Sequence, residues 1–172
     1  MLKGQDIALV FKILFTGKEE KIEYKQLAYE LCISQSEISK SVIRLKKAKL
    51  MSRYENNVFE IHKHNLMEML LHGLKYFLVP ELNIEQRGVP TAYSSPYVER
   101  ELTNKDSYVW PYIDGLSKGI ALTPLYKTLP AALDRFPDEG FYEVMSLLDL
   151  IRLGGSREQK IASNMLDKII WK

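Results

Sequence analysis

A chain of 172 residues with 46% apolar content is long enough for one domain or two small ones around a real core. Charged residues make up 27% and the formal net charge is only +2, an ordinary soluble balance. One cysteine, Cys32, excludes an internal disulfide and fits a reducing cytoplasm; no stretch reaches the roughly 18 uninterrupted apolar residues of a membrane span.

The charge is unevenly distributed. Residues 1–64 hold twelve Lys or Arg against eight Asp or Glu (+4), and the remaining 108 hold twelve against fourteen (−2). A basic surplus confined to one end fits a nucleic-acid partner for that end.

The first predicted helix starts near Asp6, a good cap, and stops at Thr16-Gly17. From Ile7 to Phe15 it is apolar nearly all round, interrupted only by Lys12, so it must be covered on several sides. The run is too short and lacks the small-residue site of a signal peptide. Lys18–Ile22 is a charged connection that can end in a short strand.

From Tyr24 to Leu50 the pattern divides into two helical halves around Cys32-Ile33-Ser34. Leu27 and Leu31, four apart, give the first half one apolar stripe, and Ser34 or Ser36 can cap the second. There Ile38, Val42 and Leu45 form an inward face. Ser36, Lys40, Ile43 and Lys47 project from the opposite side, flanked by Ser39 and Arg44. From Lys40 to Arg53 the chain carries Lys40, Arg44, Lys46, Lys47, Lys49 and Arg53 and no carboxylate. Cations can meet phosphates, and short serines let the backbone approach base edges. On spacing alone, a solvated cationic face is an equal reading.

After Leu50 the period becomes strand-like: Met51, Arg53 and Glu55 alternate with Ser52 and Tyr54, then Asn56-Asn57 precedes Val58–Ile61. Two asparagines tolerant of positive φ predict a tight hairpin. In LAYELCISQSEISKSVIRLKKAKLMSR, Ser34, Ser36, Ile38, Ser39 and Lys40 match the pattern S-x-S-x-hydrophobic-S-basic. With the following hairpin, residues 6–62 resemble the winged helix-turn-helix core of the bacterial MarR and ArsR-type regulators. The resemblance implies duplex DNA as partner, a recognition helix over 35–47 and a wing at 53–61. Gln35, Ser36, Ser39, Lys40 and Ile43 would face bases, Arg44, Lys46, Lys47 and Arg53 phosphates, and Asn56 and Asn57 a neighbouring groove or backbone. The chain departs from those families at Cys32 and Lys49, where they carry Gly. A left-handed backbone there would cost Lys about 1 kcal/mol more than Gly.

Asn65 with Glu68 reads as a capping box opening a helix that continues through Phe77, again apolar on most faces. Two such helices in a short chain favour a homodimer, with plain intramolecular packing as the alternative. From Val79 to Pro130, prolines at 80, 90, 96, 111, 124 and 130 exclude long helices, and six aromatics concentrate between Tyr93 and Tyr126. Tyr108–Tyr126 reads as two short strands around Asp114-Gly115, and Arg87–Pro96 as a long ordered loop. Residues 87–126 are therefore a candidate docking surface for a partner protein, as in an antitoxin, or a pocket beneath Trp110 and Tyr126. A helix starting at Pro137 or Asp138 ends at Gly154-Gly155, and a second, boxed by Ser156 and Gln159, closes a helical hairpin.

Chemistry is sparse. His62, His64 and His72 lack the partners of a metal spacing, Cys32 reads as a small hydrophobe, and Gly115 and Gly119 are too sparse for a phosphate loop. Asp134, Asp138, Glu139 and Glu143 sit where a helix dipole favours acids. No enzyme and no cofactor are expected. The expectation is mainly α with small β: a winged helix-turn-helix over 1–64, a connecting and dimerisation helix over 65–81, and an α+β region over 82–172. Its function would be that of a cytoplasmic repressor-type transcriptional regulator.

Overall fold

The computed structural model describes residues 1–17, 20–98, 102 and 106–172. The described residues form eight α-helices and five strands, mainly α with small sheets.

Helix α1 (Gly4–Thr16) is capped at Lys3, three residues before the expected cap. Asp6 instead sits in the first turn and accepts from the Lys3 amide at 2.8 Å. Every residue from Asp6 to Ile13 is buried, including Lys12. Helices α2 (Tyr24–Leu31) and α3 (Gln35–Lys47) cover one side of α1, and helix α7 (Glu139–Leu153) covers another. Lys12 spends its stem on this packing and delivers its ammonium to Asp138 at 2.6 Å and Glu30 at 3.5 Å.

Cys32 ends α2 in the left-handed region, φ 53° and ψ 41°, and its amide closes onto Ala28 and Tyr29. Ser34 caps α3, its hydroxyl accepting from the Glu37 amide at 3.2 Å. Ile38, Val42 and Leu45 face inward as their spacing predicts, with Ser41 buried among them. Strands β1 (Met51–Arg53) and β2 (Phe59–Ile61) pair antiparallel, Met51 opposite Ile61. The connection is longer than the expected two-residue turn: a 3-10 turn occupies Glu55–Asn57, and only Asn57 takes positive φ, 58°. The Ile22 amide reaches the Asn57 carbonyl at 3.2 Å, a single bond where a short strand was expected. Lys18 and Glu19 of that connection lie outside the described residues.

Helix α4 (Lys63–His72) starts at His62 rather than Asn65, and Gly73 separates it from the single turn α5 (Leu74–Phe77). The Asn65 amide is turned back to the Lys49 carbonyl at 2.8 Å, so the capping box does not form. Strand β3 (Leu82–Pro90) takes in the first four residues, Arg87 to Pro90, of the stretch read as an ordered loop. It pairs antiparallel with both β4 (Tyr108–Pro111) and β5 (Ser117–Leu122), and Tyr108-Val109 of β4 touches Ile120-Ala121 of β5 in parallel. The three strands therefore close on themselves. Gly88 lies where β3 meets both partners, and a Cβ there would overlap the Trp110 carbonyl. The close backbone approach requires glycine.

Helix α6 (Leu129–Arg135) carries Pro130 in its first turn. Asp138 caps α7, accepting from the Phe141 amide at 2.9 Å. Helix α8 (Ser156–Ile170) starts at Gly155, whose amide donates to Glu158 at 2.9 Å, one residue before the expected box. Helices α7 and α8 pack as the predicted hairpin. From Val144 to Arg152 every residue of α7 is buried. It touches α1, α4, α5 and α8, so the apolar residues of both halves form one cluster from Ile7 to Ile170. The apolar faces of α1 and α4 that suggested a second subunit are covered from within the chain.

Inside α7, Asp149 accepts from Trp110 Nε1 at 2.6 Å, Thr91 Oγ1 at 2.8 Å and Arg152 at 2.6 Å. Arg152 also donates to the carbonyls of Leu78 at 2.8 Å and Thr123 at 3.2 Å. Burial pushes the Asp149 carboxyl above its usual range, while Arg152, Thr91 and Trp110 oppose it by favouring the carboxylate.

Candidate nucleic-acid interface

Ridge by ridge, α3 is built to bury one side and present the other. It packs on α1, α2 and β1, which consumes Ile38, Ser41, Val42 and Leu45. Its outer surface holds Gln35, Ser36, Ser39, Lys40, Ile43, Lys46 and Lys47, all exposed. Ile43 is 55% exposed, a large apolar side chain flanked by cations and turned to solvent. Beyond the helix, Lys49 and Arg53 extend the exposed basic surface toward the hairpin.

These cations differ in their partners. Among the described residues, Lys46, Lys47 and Lys49 have no carboxylate within ion-pair distance. Lys40 meets Glu37 at 3.1 Å, one turn back. Gln5, at 2.7 Å, and then Lys40 hold the Glu37 carboxyl below its ordinary value. Arg53 donates to the Asn57 side chain and lies 5.9 Å from the centre of the Tyr24 ring. Tyr54 donates to Glu60 at 2.6 Å across the hairpin. Asn57 is half-buried, and the side chain of Asn56 lies outside the described residues.

Arg44 does not occupy the role its spacing suggested. Its guanidinium turns inward and donates twice, from Nε and Nη2, to the two oxygens of Asp6, both at 2.7 Å. Asp6 is fully buried and the Arg44 side chain is only 18% exposed. The bond from Asp6, assisted by its charge, raises the Arg44 pKa further. A buried carboxylate must be paired, and Arg44 is the cation within reach, so structure claims it before any phosphate can. Asp6 is the lone acid of α1, but nothing in its local pattern names Arg44 as its partner.

Two backbone positions set the angles around α3. Cys32 and Lys49 both adopt left-handed conformations, φ 53° and 56°, at the sites where the resemblance led us to expect glycine. The Lys49 carbonyl is held by His62 Nδ1 and Asn65 Nδ2, both at 2.8 Å. With Nδ1 donating, Nε2 of neutral His62 accepts from the Ser52 hydroxyl at 2.9 Å. His62 thus pins the junction between α3 and β1. His64 stacks on Trp171 instead, with ring centres 4.6 Å apart.

No protein-family model, curated protein or solved structure matches the chain. The inference to function therefore rests on the geometry of this chain.

The C-terminal residues singled out by composition are mostly structural. Tyr108, Trp110 and Tyr126 are at most 9% exposed and fill the core, whereas Tyr93, Tyr97 and Tyr112 are half-buried. An apolar-walled cleft of this half lies between Tyr97, Tyr112 and Tyr142, and neither Trp110 nor Tyr126 is among its lining residues.

Proposed function

We propose that the N-terminal 64 residues form a winged helix-turn-helix that reads duplex DNA with α3 in the major groove, and that the protein is a repressor-type transcriptional regulator. The observation that carries this reading is the outer face of α3. Seven exposed side chains along one 13-residue helix combine small hydroxyls, one apolar contact and cations, and that helix is preceded by α2 and followed by a hairpin. The chemistry of each position supports a division of labour. Gln35, Ser36 and Ser39 lie in the first turns, which in such docking point at base edges. Ile43 is suited to a thymine methyl, and Lys46, Lys47 and Lys49 to phosphates. Lys40 can leave Glu37 for a phosphate, since an exposed pair of this kind is worth little. Arg53 and Asn57 stand at the hairpin, where a wing meets the backbone.

The test is selection of bound duplexes from a random pool, followed by salt titration. The parent protein is expected to retain a defined motif. The double variant Lys46→Ala/Lys47→Ala is expected to flatten the salt slope by about two units at unchanged folding. A pool that yields no enriched duplex, or a slope that stays the same in the double variant, overturns the proposal. An enriched motif with two-fold symmetry would further support a homodimeric regulator.

A further inference from the structure

Away from α3, the C-terminal half holds a cleft of about 410 Å³. Its walls come from the end of β3, the loop between β4 and β5, α6 and the start of α7. That volume falls in the range of small-molecule sites. Three tyrosines shape it. Tyr97 meets Tyr142 edge-on with ring centres 5.1 Å apart, and Tyr142 is backed by Trp110 at 5.6 Å. The Tyr142 hydroxyl is fixed on the Pro90 carbonyl at 2.5 Å, and the Tyr112 hydroxyl on Asp134 at 2.9 Å. The rings are therefore held in place before anything enters.

The charge in this cleft has one sign. Asp114, Asp134, Asp138 and Glu139 line it, and no Lys, Arg or His is among its described lining residues. Asp138 is accounted for, since it caps α7 and pairs with Lys12 at 2.6 Å. Asp114, Asp134 and Glu139 have no ion pair among the described residues. The N-terminus of α7 opens here, but its Phe141 amide is already occupied by Asp138, so it offers less to an anion. Electron-rich ring faces beside unpaired carboxylates form a site that attracts a cation with an apolar body.

We propose that this cleft binds an organic ammonium ion, its charge between Asp134 and Glu139 and its alkyl groups against Tyr97, Tyr112 and Tyr142. The rings and the carboxylates contribute to one ligand class. A neutral molecule of the same shape gains only the apolar contacts, and an anion is repelled.

Calorimetric titration of the full chain tests this with choline as the probe, against its uncharged isostere in which carbon replaces the quaternary nitrogen. Spermidine, a linear ammonium, is titrated in parallel to tell a quaternary from a primary ammonium site. Choline or spermidine is expected to bind at one site per chain, about tenfold or more tighter than the isostere. The variant Asp134→Asn/Glu139→Gln keeps the shape and hydrogen-bonding capacity of both side chains and should lose that preference. Tyr97→Ala should weaken the charged probe while circular dichroism remains that of the parent. The proposal is overturned if neither ammonium binds at concentrations up to about 10 mM. It is equally overturned if the isostere binds as tightly as choline, or if the neutralised variant binds choline as the parent does.

Discussion

The Arg44 guanidinium and the Asp6 carboxylate meet fork to fork, two 2.7 Å bonds joining the outermost helix of the basic region to the start of α1. The geometry is bidentate and Asp6 is fully buried, so the pair holds α3 against the core at a fixed orientation. Removing either partner strands a charge. Arg44→Ala is expected to destabilise the chain by about 3–5 kcal/mol, since Asp6 would be left buried and unpaired. Urea unfolding measures it. A loss below about 1 kcal/mol would mean that water reaches Asp6 and the bond is dispensable.

The left-handed residues Cys32 and Lys49 make the opposite prediction. Glycine adopts φ near 55° without a Cβ penalty, although it also enlarges the unfolded ensemble. Lys49→Gly should therefore raise stability by up to about 1 kcal/mol, and Cys32→Gly by a similar amount. Denaturant midpoints of the two single variants check the sign. For Lys49 the same change should weaken DNA binding slightly, because it removes one exposed cation.

Ile43 separates stability from recognition. At 55% exposure it contributes little to the core, so Ile43→Ser should move the unfolding free energy by less than about 0.5 kcal/mol. Binding to the selected duplex should nonetheless fall by about 1 kcal/mol, with the loss concentrated at one base position. Equal affinity of variant and parent for every base at that position would remove Ile43 from the interface.

Glu143 makes folding pH-dependent. Burial raises its carboxyl above the ordinary value of 4.5, with Lys172 pulling weakly the other way. An acid whose pKa is higher in the folded state stabilises the fold fully below 4.5 and loses that contribution as pH rises through the folded value. Glu143→Gln should therefore gain stability relative to the parent as pH rises above 4.5. Paired unfolding curves at several pH values read the difference directly.

Local patterns carried well from residues to structure. The inward faces of α2 and α3, the Ser34 and Asp138 caps, the Gly154-Gly155 break and the two strands around Asp114-Gly115 follow from side-chain period and turn chemistry. Tertiary partners did not. Arg44 has the spacing of a surface cation, and only the fold brings Asp6 to it from 38 positions away. Strand β3 was missed although Leu82-Asn83-Ile84-Glu85 alternates; the alternation is only four residues long, and every residue from Leu82 to Arg87 is exposed, so no core face marks it. The buried Asp149 and Arg152 pair left a readable trace, two opposite charges three residues apart within an apolar helix, and that trace was overlooked. In the candidate interface, exposure of Lys46 and Lys47 was legible, whereas the diversion of His62 to the Lys49 carbonyl depended on a junction angle that no short-range pattern encodes.

Helix α7 is enclosed by elements drawn from both ends of the chain. Severing the chain after residue 64 would strip α7 from α1 and take Asp138 away from the buried Lys12, so the front portion cannot be expected to survive as an isolated fragment. Melting is consequently one event, shared by the basic helix and the tyrosine cleft alike. A compound that settles in the cleft raises the midpoint for the entire molecule by mass action, and α3 is protected along with it.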